Sequence, residues 1–245
     1  MKKFEEKIQN LINLYKLKKF NEAEKITNTL IKEKPENVWF YNFLGLIKIE
    51  QEKFDESILY FEKGIKIDST FPMLYDNLGT VYKIKKDYFK SEYYYKKSIE
   101  INSINPEAHN NLGNLYRILN DNVKAIKSYQ NSIKAKTNFY PAHYNLAITY
   151  KSIGDFVLAK MHFEKTIELN NNFFAAHRSL SEIINYSEKN SHFKMLNEIY
   201  EKNNDLNKKE LAFALGKAYE DIKDYKKSFK FFTEGNKLHR KTINF

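Results

Sequence analysis

Cysteine is absent from the 245-residue chain, which excludes disulfide frameworks, thiolate nucleophiles and cysteine-ligated zinc. Only four prolines and seven glycines occur, too few punctuators for an all-β sandwich or barrel, which needs turn residues about every 8–12 positions. Nowhere do roughly 18 uncharged apolar residues follow one another, so no membrane-spanning helix is expected. The first ten residues, MKKFEEKIQN, alternate charges and lack the apolar core of a secretory leader. Arginine is also scarce. Arg117, Arg178 and Arg240 are the only three among 41 basic residues, and the lysines are interleaved with 31 acidic ones. The formal charge of +10 invites a nucleic-acid reading. Lys, Asn, Ile, Tyr and Phe all have AT-rich codons, however, so base composition accounts for much of that excess. What the chain does have is 42% hydrophobic residues and 16% aromatics, enough to build a core. A soluble, cytoplasmic, mostly helical protein is expected.

An internal repeat sets the fold. FYNFLGLIK from Phe40, LYDNLGTVY from Leu74, AHNNLGNLY from Ala108 and AHYNLAITY from Ala142 align without a gap, 34 residues apart. Counting outward gives seven units, at 4–37, 38–71, 72–105, 106–139, 140–173, 174–208 and 209–242. Each reads as two amphipathic helices, A then B, with apolar residues at i, i+3, i+4 and i+7. The eighth position is small in six units (Gly45, Gly79, Gly113, Ala147, Ser181, Gly216), and so is the twentieth (Ala23, Ser57, Ser91, Ala125, Ala159, Ser228). Small residues let helices approach, so these positions mark the A–B crossing. Aromatics surround it at the twenty-fourth position, as Phe61, Tyr95, Tyr129, Phe163 and Phe232. Pro35, Pro72, Pro106 and Pro141 fall where one unit hands over to the next.

The Leu-Gly pair, the Tyr three residues later, and the following Ala, Phe and Pro resemble the signature of the tetratricopeptide repeat (TPR) family over nearly the whole chain. The resemblance implies an all-α, right-handed α-solenoid of about seven helical hairpins, with A helices lining a concave face. Two units depart from it. Leu11 replaces the glycine of the first. The sixth has Phe193 and Tyr200 at the small positions of helix B, so that helix must move outward or tilt. The expected organisation is a regular array over 1–185 (repeats 1–5 and helix A of repeat 6), an irregular seam over 186–208 and a C-terminal TPR-like hairpin and tail over 209–245.

The candidate site residues recur with the same period. Asn77, Asn111 and Asn145 hold the sixth position of helix A, which faces the groove in a TPR array. Exposed carboxamides there can grip an extended peptide backbone without reading its sequence, or can bond the neighbouring helix and order the stack. The strings AHNNLGN and AHYNLAI resemble repeats of the O-linked N-acetylglucosamine transferase family, in which such asparagines hold client polypeptide. Asn110 and Asn114 stand nearby. Lys83, Arg117 and Lys151 form either a basic rail favouring acidic segments or an ordinary solvated rim. The carboxylate clamp of chaperone-tail-binding TPR proteins is not matched, because Asn42, Asp76, Asn110 and Tyr144 occupy its lysine position. His109, His143 and His177 are one repeat apart and cannot converge on one metal, whose ligands lie about 2.0–2.1 Å from it. They read as packing residues.

No catalytic motif, metal set or phosphate cradle appears, so neither catalysis nor a cofactor is expected. The C-terminal run FALGKAYED, followed by EGNKLHRK, resembles the last repeat of bacterial TPR–sulfotransferase proteins, and an apolar end (Ile243, Phe245) suggests a partner surface or a truncated boundary. The sequence therefore points to a non-catalytic scaffold for a protein or peptide client, with a following sulfotransferase domain implied by resemblance. The alternative is an RNA-binding helical repeat that uses the lysine surface.

Overall fold

The computed structural model describes residues 2–203 and 208–242; Ile243 and Phe245, and residues 204–207 of the expected seam, lie outside the described residues. Fourteen α-helices and no strand occur among the described residues, so the chain is all-α. The chain divides into two compact units between Asp121 and Asn122, within the fourth repeat.

Unit 1 contains α1 (Lys2–Lys16), α2 (Phe20–Glu33), α3 (Val38–Glu50), α4 (Phe54–Ile67), α5 (Pro72–Ile84), α6 (Tyr88–Ile101) and α7 (Pro106–Ile118). Proline at the first position of α5 and α7 spends no needed N–H, and the Asn105 side chain accepts from the Glu107 and Ala108 amides to cap α7. Odd-numbered A helices and even-numbered B helices form two layers. Helices α1, α3 and α5 pack on their own B helices, α3, α5 and α7 pack on the B helix of the preceding repeat, and α5 also touches α3 and α7. The crossing is as close as the small residues imply. A Cβ built on Gly45 would lie 2.3 Å from the Phe61 ring, and one on Gly79 would lie 2.6 Å from Tyr95. In the first repeat the exchange is reversed. Leu11 fills the slot of the missing glycine, and Thr27 stands where five other repeats have an aromatic, both of them buried. The core is a succession of clusters: Leu11, Leu14, Leu30, Phe40 and Ile47 in one, and Phe61, Leu74, Leu78 and Val81 in the next. Stability of this kind comes from nearest-neighbour stacking. Lys48 of α3, only 3% exposed, is held by Glu24 of α2 at 2.7 Å and Glu56 of α4 at 2.8 Å.

Unit 2 contains α8 (Asn122–Ala135), α9 (Tyr140–Ser152), α10 (Phe156–Leu169), α11 (Phe174–Ser181), α12 (Ser191–Lys202), α13 (Lys208–Asp221) and α14 (Tyr225–Thr242). Pairs α9–α10 and α13–α14 repeat the hairpin of unit 1. The sixth repeat does not. The sequence pattern carries its A helix through Ile184, whereas α11 ends at Ser181. Beyond it the backbone is diverted, and the Tyr186 amide donates to Asp221 of α13 at 3.2 Å instead of closing a helical turn. Helix α11 packs directly on α13. The bulky Phe193 and Tyr200 of α12 turn to the seventh repeat, edge-on to Tyr219 and Phe231 at 5.1 and 5.2 Å.

The A–B turn places its fifteenth residue in the left-handed region, at φ 58–64° for Lys18, Glu52, Lys86, Asn120 and Lys223 and at 82° for Gly154. Gly154 adopts that conformation without strain and Asn120 at little cost, whereas the lysines and the glutamate are strained there.

Candidate functional site

On unit 1 the A-helix face is built by α3, α5 and α7 side by side. Their common start register brings the fifth position of one repeat against the sixth position of the next. Asn77 of α5 donates to Asn42 Oδ1 of α3 at 2.8 Å. Asn111 of α7 donates to both carboxylate oxygens of Asp76 of α5, at 3.2 and 3.1 Å. Thus the recurring asparagines are half-buried and oriented by the preceding A helix. A carboxamide carries two N–H groups and an oxygen with two lone pairs, so one such bond uses a fraction of its capacity.

Electrostatics on this face centre on Asp76. Burial pushes its carboxyl up to about 6, against the opposing pull of the Asn111 amide and of Lys83. Lys83, half-buried two turns further along α5, is lowered from the ordinary lysine value chiefly by the same burial. Arg117 is exposed near the end of α7, Asn110 is buried and Asn114 half-buried. Trp39 and Met73, at the second position of α3 and α5, add exposed apolar surface.

On unit 2, Asn145 is half-buried on α9. Lys151 is ion-paired with Glu182, Glu182 reaches Arg178 of α11 at 3.4 Å, and Arg178 bonds Glu210 of α13 at 2.9 Å while lying over the Phe213 ring. Lys151 is therefore brought together with a chain of alternating charges, and not with another cation.

Sequence profiles of the tetratricopeptide repeat match residues 40–71, 74–105 and 140–173, and a second such profile matches 94–127. The chain carries tetratricopeptide repeats. Solved TPR structures resemble it in fold. YrrB, a TPR protein with an unusual peptide-binding site, has a TM-score of 0.53 at 16% identity, over 83% of this chain and 96% of that one. TTC0263, a thermophilic TPR protein from Thermus thermophilus, has 0.63 at 15% identity, over 74% and 98%. A TPR protein from Parabacteroides merdae has 0.61 at 15% identity, over 97% and 94%. No curated protein matches the sequence.

The TPR histidines do more than pack. Nε2 of His109, His143 and His177 meets the backbone oxygen six residues earlier, of Ser103, Thr137 and Asn171, at 2.9, 3.1 and 2.9 Å. Each ring ties down its own inter-repeat turn. His143 and His177 also contact a second histidine each, His162 and His192, which have no counterpart in the repeat pattern.

Proposed function

We propose that the chain is a non-catalytic TPR scaffold that holds extended polypeptide segments along its A-helix faces. The contacting side chains are Asn77, Asn110, Asn111, Asn114, Lys83 and Arg117 in unit 1, and Asn145 and Lys151 in unit 2. One observation carries the reading: the amide groups of Asn77 and Asn111 are fixed by the preceding helix and keep hydrogen-bonding capacity. Groups oriented in advance lose little entropy on binding, and a donor–acceptor pair suits a peptide backbone of any sequence. The peptide-binding site ascribed to YrrB, a protein of the same fold, supports the assignment. From the likeness of its last repeat, the scaffold presents protein substrate to a bacterial sulfotransferase domain in the cytoplasm. RNA binding has less support, because lysines such as Lys85, Lys96 and Lys151 are paired with Asp55, Glu92 and Glu182.

Peptides selected from a random library on the immobilised chain test this by calorimetry. Asn77→Ala/Asn111→Ala/Asn145→Ala should lose roughly tenfold or more in affinity, from about 0.5–1.5 kcal/mol per hydrogen bond. The Lys63→Ala control on α4 should lose nothing. Unchanged affinity in a triple variant of normal helicity would overturn the reading. Binding of single-stranded RNA that falls steeply with salt would favour the alternative.

A further inference from the structure

The irregular sixth repeat is closed by a directional chain of hydrogen bonds with one consistent arrangement of protons. Nε2 of His177 lies 2.9 Å from the Asn171 carbonyl oxygen, which can only accept, so Nε2 carries the hydrogen. In the neutral ring Nδ1 is then a bare acceptor, 2.9 Å from His192 Nε2, which must donate. That leaves His192 Nδ1 bare, and the Tyr186 hydroxyl donates to it at 2.7 Å. The two imidazoles are nearly coplanar, 9° apart with centroids at 5.1 Å, so the N–H points along its neighbour's lone pair. In-line pairing at this distance leaves no room for a metal ion, which would need about 4 Å between opposed nitrogens.

This chain joins four pieces of unit 2: the turn holding Asn171, α11, the 182–190 segment through Tyr186, and α12. His177 is 0% exposed and Tyr186 is 6% exposed. A single added proton fits only as a buried imidazolium, with His192 then donating to Tyr186 instead of accepting from it. A second proton fits nowhere, because two N–H groups would face each other. The surroundings offer little compensation. Glu164 and Glu168 of α10 line the cavity beside His192, but both are more than half exposed and are paired with Lys160 and Lys165. Asp221 of α13 is already engaged by the Tyr186 amide and by Lys217, and Arg178 of α11 by Glu182 and Glu210. Burial lowers both histidines, His192 to about 3.

We propose that the Tyr186–His192–His177–Asn171 chain is an acid-operated latch: uptake of two protons, at His177 and His192, releases residues 182–203 from α11 and α13. This segment is the one placed to open. It follows the shortened α11, it lacks the left-handed turn residue of the other repeats, and α12 rests on α13 instead of on a full-length A helix.

Amide hydrogen exchange on the full chain between pH 7.5 and 5, corrected for intrinsic rates, tests the latch. Ordinary carboxylates titrate below this window and the raised Asp76 belongs to unit 1, so two histidines should dominate the opening of α12. The opening constant of α12 amides should rise about 100-fold per pH unit once the pH is below ~6.5, two protons being taken up. His192→Gln keeps a donor and an acceptor in place without a titrating ring, and should reduce the dependence to about tenfold per unit. Tyr186→Phe should raise opening at every pH and leave the slope unchanged. The proposal is overturned by a wild-type slope of tenfold per unit or less, by an unchanged slope in His192→Gln, or by α13 and α14 opening together with α12.

Discussion

Substituting alanine for Gly45 tests whether the A–B crossing is as tight as the repeat pattern demands. The new Cβ would lie 2.3 Å from Cε1 of Phe61 and 2.6 Å from two more ring atoms, where ordinary contact begins at 3.4 Å. The ring must retreat by about an ångström, and Phe61 is fully buried, packed against Leu74, Leu78 and Val81. Overpacking of this kind costs about 1–3 kcal/mol, and replacing a helical glycine by alanine returns about 1 kcal/mol. The expected net loss is about 1 kcal/mol. In a Phe61→Leu background the obstacle is gone and the same substitution should become stabilising by several tenths. The double-mutant cycle therefore predicts a coupling of roughly 1–3 kcal/mol. Trp39 is the sole tryptophan and sits on the same helix, so urea titration followed by its fluorescence reads the relevant repeat. Gly45→Ala as stable as the parent, with no coupling to position 61, would refute the reasoning. Ala147, packed in the fifth repeat beside α10, shows that a methyl is accepted where the whole repeat is built around it.

Two further outcomes follow from the turn and from Asp76. The Asp76 carboxyl is raised in the folded chain, so ionisation there opposes folding as pH rises from about 4 through about 6. Asp76→Asn, which can still accept from Asn111, should be more stable than the parent at pH 7.5 and lose that advantage at pH 4; equal gains at both values in thermal denaturation would contradict this. Lys86→Gly should relieve about 1–2 kcal/mol of left-handed strain, less about 0.5–1 kcal/mol of added unfolded-state entropy. A small rise in midpoint is expected, and a fall would show that the Lys86 side chain contributes more than its backbone costs.

The period of 34 made the hairpins legible, because a glycine at the eighth position and an aromatic at the twenty-fourth are two halves of one contact. Where the halves trade places, as Leu11 and Thr27 do, a position-by-position reading sees only a missing glycine. The left-handed turn was hidden for a different reason. Lysine and glutamate carry no local preference for positive φ, so only Gly154 and Asn120 hinted at a conformation that four further residues also adopt. The early end of α11 depends on Asp221, 35 residues away from the Tyr186 amide that it accepts from, and no local pattern records such a pairing. The candidate site was half legible. Recurrence identified Asn77 and Asn111, but their partners Asn42 and Asp76 sit one position out of phase in the preceding repeat. The histidine partners His162 and His192 occupy different positions of helix B, so periodicity could not find them.

Photo-crosslinking of a library-selected peptide is the most direct test of the proposed peptide-binding surface. A benzophenone amino acid is placed at Met73 on the A-helix face, or at Leu59 on the exposed face of α4 as a control, and the adducts are mapped by mass spectrometry. Peptide lying extended along α3, α5 and α7 predicts adducts from Met73 at a confined stretch of the peptide, weakened by Asn77→Ala, and none from Leu59. Adducts from Leu59 with none from Met73 would place recognition on the B helices and contradict the account.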